Sequence, residues 1–143
     1  MMKIHGSSIA IEGRGILLCG TSGAGKSDLA LRLIDGGAML IADDYTELHK
    51  IGGRFLLAPP QEIAGRLEVR GLGLMRLPHV SDIPLNLVFD LMPYNEIARM
   101  PDATPAEFEG LFVPRRQLDP FMASAAAIVR LAALQNPLRT GYE

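Results

Sequence analysis

The chain has 143 residues, 48% hydrophobic and 21% charged, which is typical of one globular domain with a sizeable core. A net charge of −2 and the lack of a Lys/Arg run argue against binding to nucleic acid or an anionic membrane surface. The single Cys19 excludes an internal disulfide, and no segment resembles a membrane span or signal peptide. We therefore expect one domain over residues 1–143, located in the cytoplasm.

The first forty residues predict two strands, a loop and a helix. Short strands flank a turn at Glu12-Gly13, and the second of them covers Gly15 to Cys19. Apolar residues recur at helical spacing over 26–35, and Gly36-Gly37 marks the helix end. This stripe consists of Leu29, Ala30, Leu33 and Ile34.

The next segments are rich in β-strand patterns. The compact apolar run over 38–44 predicts a buried parallel strand. A hairpin is predicted over 45–58, with Gly52-Gly53 at its turn. The segment 66–77 is rich in strand-forming residues but interrupted by glycines, and another apolar strand is predicted over 84–92.

The last third of the chain predicts loop and helix. Four prolines between Pro93 and Pro114 indicate irregular structure. The segment 120–135 contains strong helix formers and predicts a terminal helix with Pro120 in its first turn. The order of elements predicts an α/β fold whose sheet mixes parallel and antiparallel strands.

The sequence GTSGAGKS matches the phosphate-binding loop pattern Gly-x-x-x-x-Gly-Lys-Ser, also called Walker A or P-loop. A strand precedes it and an amphipathic helix follows, as this motif requires. Its backbone N–H groups and the helix N-terminus would bind the phosphates of ATP, Lys26 would reach the β- and γ-phosphates, and Ser27 would bind Mg²⁺. The loop consists of Gly20, Thr21, Ser22, Gly23, Ala24, Gly25, Lys26 and Ser27.

Two adjacent acids, Asp43 and Asp44, follow the strand after the helix. One could serve a metal ion while the other handles a proton, although an exposed strand end would look the same. Taken alone, His5 is more typical of a surface or core histidine, as are the chain's two other histidines. Arg70, between Glu68 and a Gly-x-Gly, fits either a catalytic rim or an ordinary turn.

Together these segments resemble the catalytic domain of the HPr kinase/phosphorylase family, bifunctional bacterial enzymes that phosphorylate a serine of the carrier protein HPr. The resemblance depends on the order and spacing of four segments, and it weakens after Leu74. It implies a P-loop NTPase-like fold of the HPr kinase/PEP carboxykinase type, with a mixed sheet, a P-loop helix and a C-terminal helix. The four segments are His5-Gly6, Gly20 to Ser27, LIADD at 40–44 and LEVRGLGL at 67–74.

The resemblance also assigns roles to residues. His5 matches the family's active-site histidine and Lys26 its P-loop lysine. Asp44, with Asp43 beside it, matches the acid pair that supplies the general base, while Ser27 and Glu68 match the Mg²⁺ ligands. The family's signature region falls on Glu68, Val69, Arg70, Gly71, Leu72 and Gly73.

The implied function is ATP- and Mg²⁺-dependent phosphorylation of a serine on HPr or a related phosphocarrier of the phosphotransferase system. Phosphorolysis of the resulting phosphoserine is the reverse activity of such enzymes. The family also implies a homo-oligomer, a hexamer in its known members. Two alternatives stay open: a small-molecule P-loop kinase, and a regulatory module that senses ATP without catalysis.

The chain departs from the family pattern in three places. It lacks the family's separate N-terminal domain, so we interpret it as a short, catalytic-domain member. The segment MRLPHVSD at 75–82 is shorter than the family's flap. Asp119 occupies the position of a family arginine, and either Arg115 or Arg116 replaces that charge or both lie in a solvated turn. Kinase activity is therefore better supported than phosphorylase activity.

Overall fold

A computed structural model describes residues 1–97, 99 and 104–135 of the chain. Two α-helices lie in these ranges, α1 (Lys26–Asp35) and α2 (Ala125–Leu134), together with short 3₁₀ turns at Gln61–Ile63 and Tyr94–Glu96. The strands are β1 (Met2–Ile11), β2 (Arg14–Cys19), β3 (Met39–Ala42), β4 (Tyr45–Ile51), β5 (Arg54–Ala58), β6 (Arg66–Val69), β7 (Gly73–Arg76), β8 (Ile83–Leu91), β9 (Ala106–Phe108), β10 (Leu111–Val113) and β11 (Arg115–Leu118).

One mixed sheet organises the molecule, with the strand order β11-β8-β2-β1-β4-β5. Strand β5 also pairs with β8, so five of these strands form a closed ring, and β3 pairs with the second half of β1. The pairs β2–β8 and β8–β11 are parallel, and the other pairs in this sheet are antiparallel. The predicted mixed α/β fold is confirmed.

Two apolar cores occupy the two faces of the sheet. Because side chains alternate along a strand, Ile16 and Leu18 of β2 pack toward the helices while Leu17 packs inside the ring. Leu33 of α1 and Val129 of α2 are fully buried in the helix-side core. This packing holds α1 on the helix side of the sheet, mainly against β1, so the loop that joins β2 to α1 is held at both ends.

The structure confirms several predicted elements. Helix α1 has the predicted bounds, and β4 and β5 form the predicted hairpin around Gly52-Gly53. The β1–β2 turn places Glu12 at φ 48° and Gly13 at φ 79°, the left-handed pair that a tight hairpin turn requires. Among the described residues, no helix is long and apolar enough to cross a membrane.

The prediction that 38–44 forms a parallel strand is wrong. Strand β3 is buried as expected, but it pairs antiparallel with β1. An apolar run reports burial on both faces, and an enclosed antiparallel strand has the same pattern as a parallel one.

Two predictions for the last third also need correction. The segment 93–114 contains the hairpin β9–β10, and the charged sequence of β11 gave no strand signal, although β11 pairs in parallel with β8. Helix α2 begins at Ala125 rather than at Pro120, because the residues before it form turns. The parts of these predictions that fall on 98, 100–103 and 136–143 lie outside the described residues.

Truncating Leu33 tests the helix-side core. Leu33→Ala should lower the free energy of unfolding by about 2–5 kcal/mol, since it opens a cavity under α1. Urea unfolding followed by circular dichroism measures this loss. Phe112→Ala, on β10 and 66% exposed, should change it by less than about 0.5 kcal/mol. Equal losses in the two variants would contradict the described packing.

Candidate functional site

The loop from Gly20 to Ser27 connects β2 to α1, as the motif predicts. Gly25 is the N-cap of α1 and has φ 97°, a conformation that strains any residue with a side chain. Lys26 is buried, and its Nζ donates to the carbonyl oxygens of Gly20 at 2.7 Å and Thr21 at 2.9 Å. The ammonium group therefore lies folded against the loop, beside the first N–H groups of the helix.

Asp43 is the centre of a hydrogen-bond network. Its side chain is buried, and its Oδ1 accepts from Ser7 Oγ and from Ser27 Oγ, each at 2.7 Å. Its Oδ2 accepts from the backbone N–H of Glu68 at 3.4 Å. One carboxylate thus joins β1, the start of α1 and β6 to the end of β3.

Asp44 lies beside this network but faces solvent. Its Oδ1 is 3.1 Å from His5 Nε2, and the two side chains are 65% and 40% exposed, respectively. Asp44 has φ 70°, and its N–H donates to Ser7 Oγ while its carbonyl oxygen accepts from the N–H of Gly6. The backbone is therefore fixed from β1, and the carboxylate is open to a reactant.

The signature region forms the hairpin β6–β7. Its first strand, β6, brings Glu68 to the site. The backbone N–H of Glu68 donates to Asp43, and its side chain is exposed. The tip, from Arg70 to Gly73, is exposed and closed by the hydrogen bond from Leu72 N to Val69 O at 2.9 Å. The structure thus brings Glu68 to the acid pair and leaves Arg70 and Leu72 projecting away at the hairpin tip.

The two candidate arginines differ in position. Arg115 Nε lies 2.9 Å from Asp90 Oδ2, and Asp90 pairs in register with Cys19, the residue before the P-loop. Arg116 donates to the carbonyl oxygen of Arg115. Burial raises the pKa of the Asp90 carboxyl above its ordinary value, and the positive charge of Arg115 offsets only part of this rise. Arg115 is therefore the one of the pair that the structure links to the P-loop strand.

Two polar residues of the site were missed from the sequence. Ser7 is buried and joins the two acids, since it accepts from Asp44 N and donates to Asp43. Asp90 lies near the end of the apolar strand β8, beside β2, and a lone acid within such an apolar run is a signal that the sequence contained. Ser7 carried no such signal, because a serine in an alternating strand is ordinary.

Asp119 acts as a cap for two turns. Its Oδ1 accepts from the N–H of Phe121 at 2.9 Å, and its Oδ2 accepts from the N–H of Tyr94 at 3.1 Å. A carboxylate suits this position because it offers two acceptors, whereas an arginine would offer none. The structure therefore gives Asp119 a role in holding these two turns.

The oxygen atoms around Ser27 and Asp43 could hold a cation only if water or substrate phosphates supplied further ligands. Among the described residues, no group of three or more His, Cys, Asp or Glu side chains is arranged to bind a metal ion. Ser27 Oγ and Asp43 Oδ1 are 2.7 Å apart, and the exposed Glu68 lies on β6, where its backbone N–H donates to Asp43 Oδ2. Such a set of hard oxygen donors fits Mg²⁺, which usually keeps water and substrate phosphates among its ligands.

These features define a P-loop α/β domain with an acid pair beside the phosphate loop. The family model for the HPr Serine kinase C-terminal domain matches residues 1–81, and the chain belongs to this family. The family resemblance seen in the sequence is thereby confirmed.

The relatives are longer than this chain. The HPr kinase/phosphorylase of Clostridium tetani is 43% identical over 76 residues, which is 53% of this chain and 25% of the relative. That of Clostridium acetobutylicum is 39% identical over 101 residues, covering 66% and 33%. That of Nitrosomonas europaea is 46% identical over 74 residues, covering 51% and 23%. The matched part of the chain thus spans a third or less of these relatives.

A solved structure confirms the fold over most of the chain. The Hpr(Ser) kinase/phosphatase from Coxiella burnetii superposes with a TM-score of 0.82 at 21% identity, covering 91% of this chain and 92% of that one. The similarity therefore extends past residue 81, into the part that the family model does not match.

The environment of Cys19 predicts that its thiol is alkylated slowly. Burial, and then the negative charge of Asp90, raise the pKa of this cysteine from 9.0 to about 11. Since only the thiolate reacts, alkylation by iodoacetamide near pH 8 should be roughly 100-fold slower than for an ordinary cysteine. Because the folded-state pKa is raised, this group's contribution to stability is lost as the pH rises from about 9 to about 11.

Mass spectrometry follows the reaction directly, because Cys19 is the only cysteine in the chain. The same protein in concentrated urea is the control and should react at the ordinary rate. Rapid alkylation of the folded protein would show that Cys19 is not enclosed as described.

Proposed function

We propose that this chain is an ATP-dependent kinase that transfers the γ-phosphoryl group to a serine hydroxyl of an HPr-type phosphocarrier. The observation that carries the proposal is the arrangement of Asp44 and His5 beside the network of Asp43, Ser27 and the P-loop. The membership in the HPr serine kinase family supports the choice of substrate. The names of the relatives, all HPr kinase/phosphorylases, agree with it.

In this proposal, the loop at 20–27 binds the phosphates of the nucleotide. Its N–H groups and the N-terminus of α1 present partial positive charge, and the ammonium of Lys26 adds a full one. Phosphates that enter the loop would replace the two carbonyl oxygens as acceptors for Lys26. This positive charge would stabilise the negative charge on the γ-phosphate, and such electrostatic stabilisation, together with positioning, is the main contribution of a protein to phosphoryl transfer.

Mg²⁺ fits the donor set formed by Ser27 and Asp43, with Glu68 nearby. When bound, it would supply positive charge to the phosphate oxygens. Asp43 has a second role that needs no metal, because it fixes Ser27, Ser7 and β6 relative to one another. We assign the metal-site role to these residues on the chemistry of their oxygen atoms.

Asp44 is the proposed general base. A serine hydroxyl is a weak nucleophile, so its proton must pass to an acceptor as the new O–P bond forms and the bond to the β-phosphate oxygen breaks. The Asp44 carboxylate is exposed, and His5 holds one of its oxygens by a hydrogen bond. The other oxygen can take the proton, and ADP leaves.

The same groups could serve the reverse reaction, in which inorganic phosphate attacks phosphoserine and pyrophosphate forms. Asp44 would then return the proton to the serine oxygen. A cytoplasmic location follows from the proposed substrates. We extend the proposal to a homo-oligomer, because α2 leaves an apolar stripe of Ile128, Leu131 and Leu134 exposed.

Incubation with radiolabelled ATP, Mg²⁺ and the HPr-type carriers of the host tests this function. We expect acid-stable label on a carrier serine. Label on a small metabolite would instead indicate a small-molecule P-loop kinase. Tight ATP binding without any transfer would indicate a nucleotide-sensing module.

Asp44→Asn tests the base. This change should lower the rate of transfer by about 10²–10⁴-fold, because the amide cannot accept the proton, while the affinity for ATP changes by less than about twofold. Asparagine tolerates the left-handed backbone at this position, so the fold should survive.

The matched control is Asp35→Asn, at the other end of α1, where the carboxylate is exposed. It should transfer phosphate at the wild-type rate. Wild-type transfer by Asp44→Asn would remove Asp44 from the mechanism, and an equal loss in both variants would point to a general charge effect.

A further inference from the structure

An exposed phenylalanine lies against the P-loop. Phe121 follows β11 in the turn before α2, and it is 69% exposed. A Cβ built on Gly25 would lie 3.1 Å from Cζ of Phe121 and 3.0 Å from Cγ of Pro120. The ring edge thus packs on the last glycine of the phosphate loop, where a side chain would crowd the ring and the φ of 97° already favours glycine.

The turn that carries this ring is fixed at several points. Asp119 accepts from the N–H of Phe121, and Met122 N donates to the carbonyl oxygen of Asp119 at 3.3 Å. The guanidinium of Arg32, on α1, donates to the carbonyl oxygen of Pro120. An exposed aromatic side chain on a fixed backbone loses little further freedom when a ligand binds to its face.

The sheet order places this ring and the acid pair on opposite sides of the P-loop strand. In the order β11-β8-β2-β1, Phe121 follows β11, whereas His5 is on β1 and Asp44 follows the strand paired with β1. A nucleotide in the loop would have its γ-phosphate toward the acceptor and Asp44. Its base leaves the loop from the other end of the triphosphate.

We propose that Phe121 is the platform on which the purine base of the bound nucleotide stacks. This inference relies on the nucleotide binding of the proposed function and names the residue that recognises the base. Purines stack well on aromatic rings, and the Phe121 side chain is exposed and adjacent to the phosphate site. The selectivity for a nucleotide over inorganic polyphosphate then depends on this ring.

Binding measurements on Phe121→Ala separate the base from the phosphates. Isothermal titration calorimetry with ATP and Mg²⁺ should show a loss of affinity of roughly 5- to 100-fold, the range expected for one lost base–aromatic stack. Affinity for inorganic tripolyphosphate should change by less than about twofold. Phe112→Ala, on β10 and 66% exposed, is the matched control and should bind both ligands as the wild type does.

A tryptophan at the same position gives a direct signal. The chain contains no tryptophan, so Phe121→Trp places a single tryptophan at the proposed platform, and excitation at the red edge of its absorption avoids the three tyrosines. Stacking of adenine should quench its emission on addition of ATP, and tripolyphosphate should cause little change. A Phe112→Trp protein should respond to neither ligand.

The outcomes distinguish this inference from the proposed function. If the wild type binds neither ATP nor tripolyphosphate, the nucleotide-binding function itself fails. If the wild type binds ATP and Phe121→Ala binds it equally well, the stacking platform is wrong while the kinase proposal stands. Unchanged ATP affinity with slower transfer to the carrier would place Phe121 at the protein substrate and also overturn the inference.

Discussion

The buried carboxylate of Asp43 is the interaction on which the site depends. It is 7% exposed and accepts hydrogen bonds from Ser7, Ser27 and the backbone of Glu68. A charge taken out of water is tolerated only with such partners, and each partner comes from a different element. The carboxylate therefore sets the distance between β1, the start of α1 and β6, and these are the elements that carry the P-loop, the histidine and the signature hairpin.

The neighbouring acid, Asp44, has the opposite environment, although the two residues are consecutive in the sequence. Asp44 has a left-handed backbone, which turns its side chain away from the buried network and toward His5. The carboxylate of Asp43 is therefore occupied by hydrogen bonds to Ser7, Ser27 and Glu68, while that of Asp44 is accessible from solvent. Two identical side chains are given different chemistry by backbone conformation and burial, without any change of residue type.

Local sequence patterns predicted much of the fold and part of the site. The P-loop, α1 and the β4–β5 hairpin each have a signal within a few residues, so their bounds were correct. The pairing of β3 and the existence of β11 depend on strands distant in sequence, and no local pattern encodes that partner choice. The roles of Ser7 and Asp119 are defined only by the groups they contact, so their residue types alone did not reveal them.

The position of β8 has a consequence for how this domain can be divided. The family model ends at residue 81, yet β2, which leads into the P-loop, pairs on one side with β1 and on the other with β8. A fragment ending at 81 would leave β2 as an edge strand, paired only with β1, and would remove Phe89 and Val129 from the core beneath α1. The residues after the part that the family model matches therefore complete both the sheet and the core beneath α1.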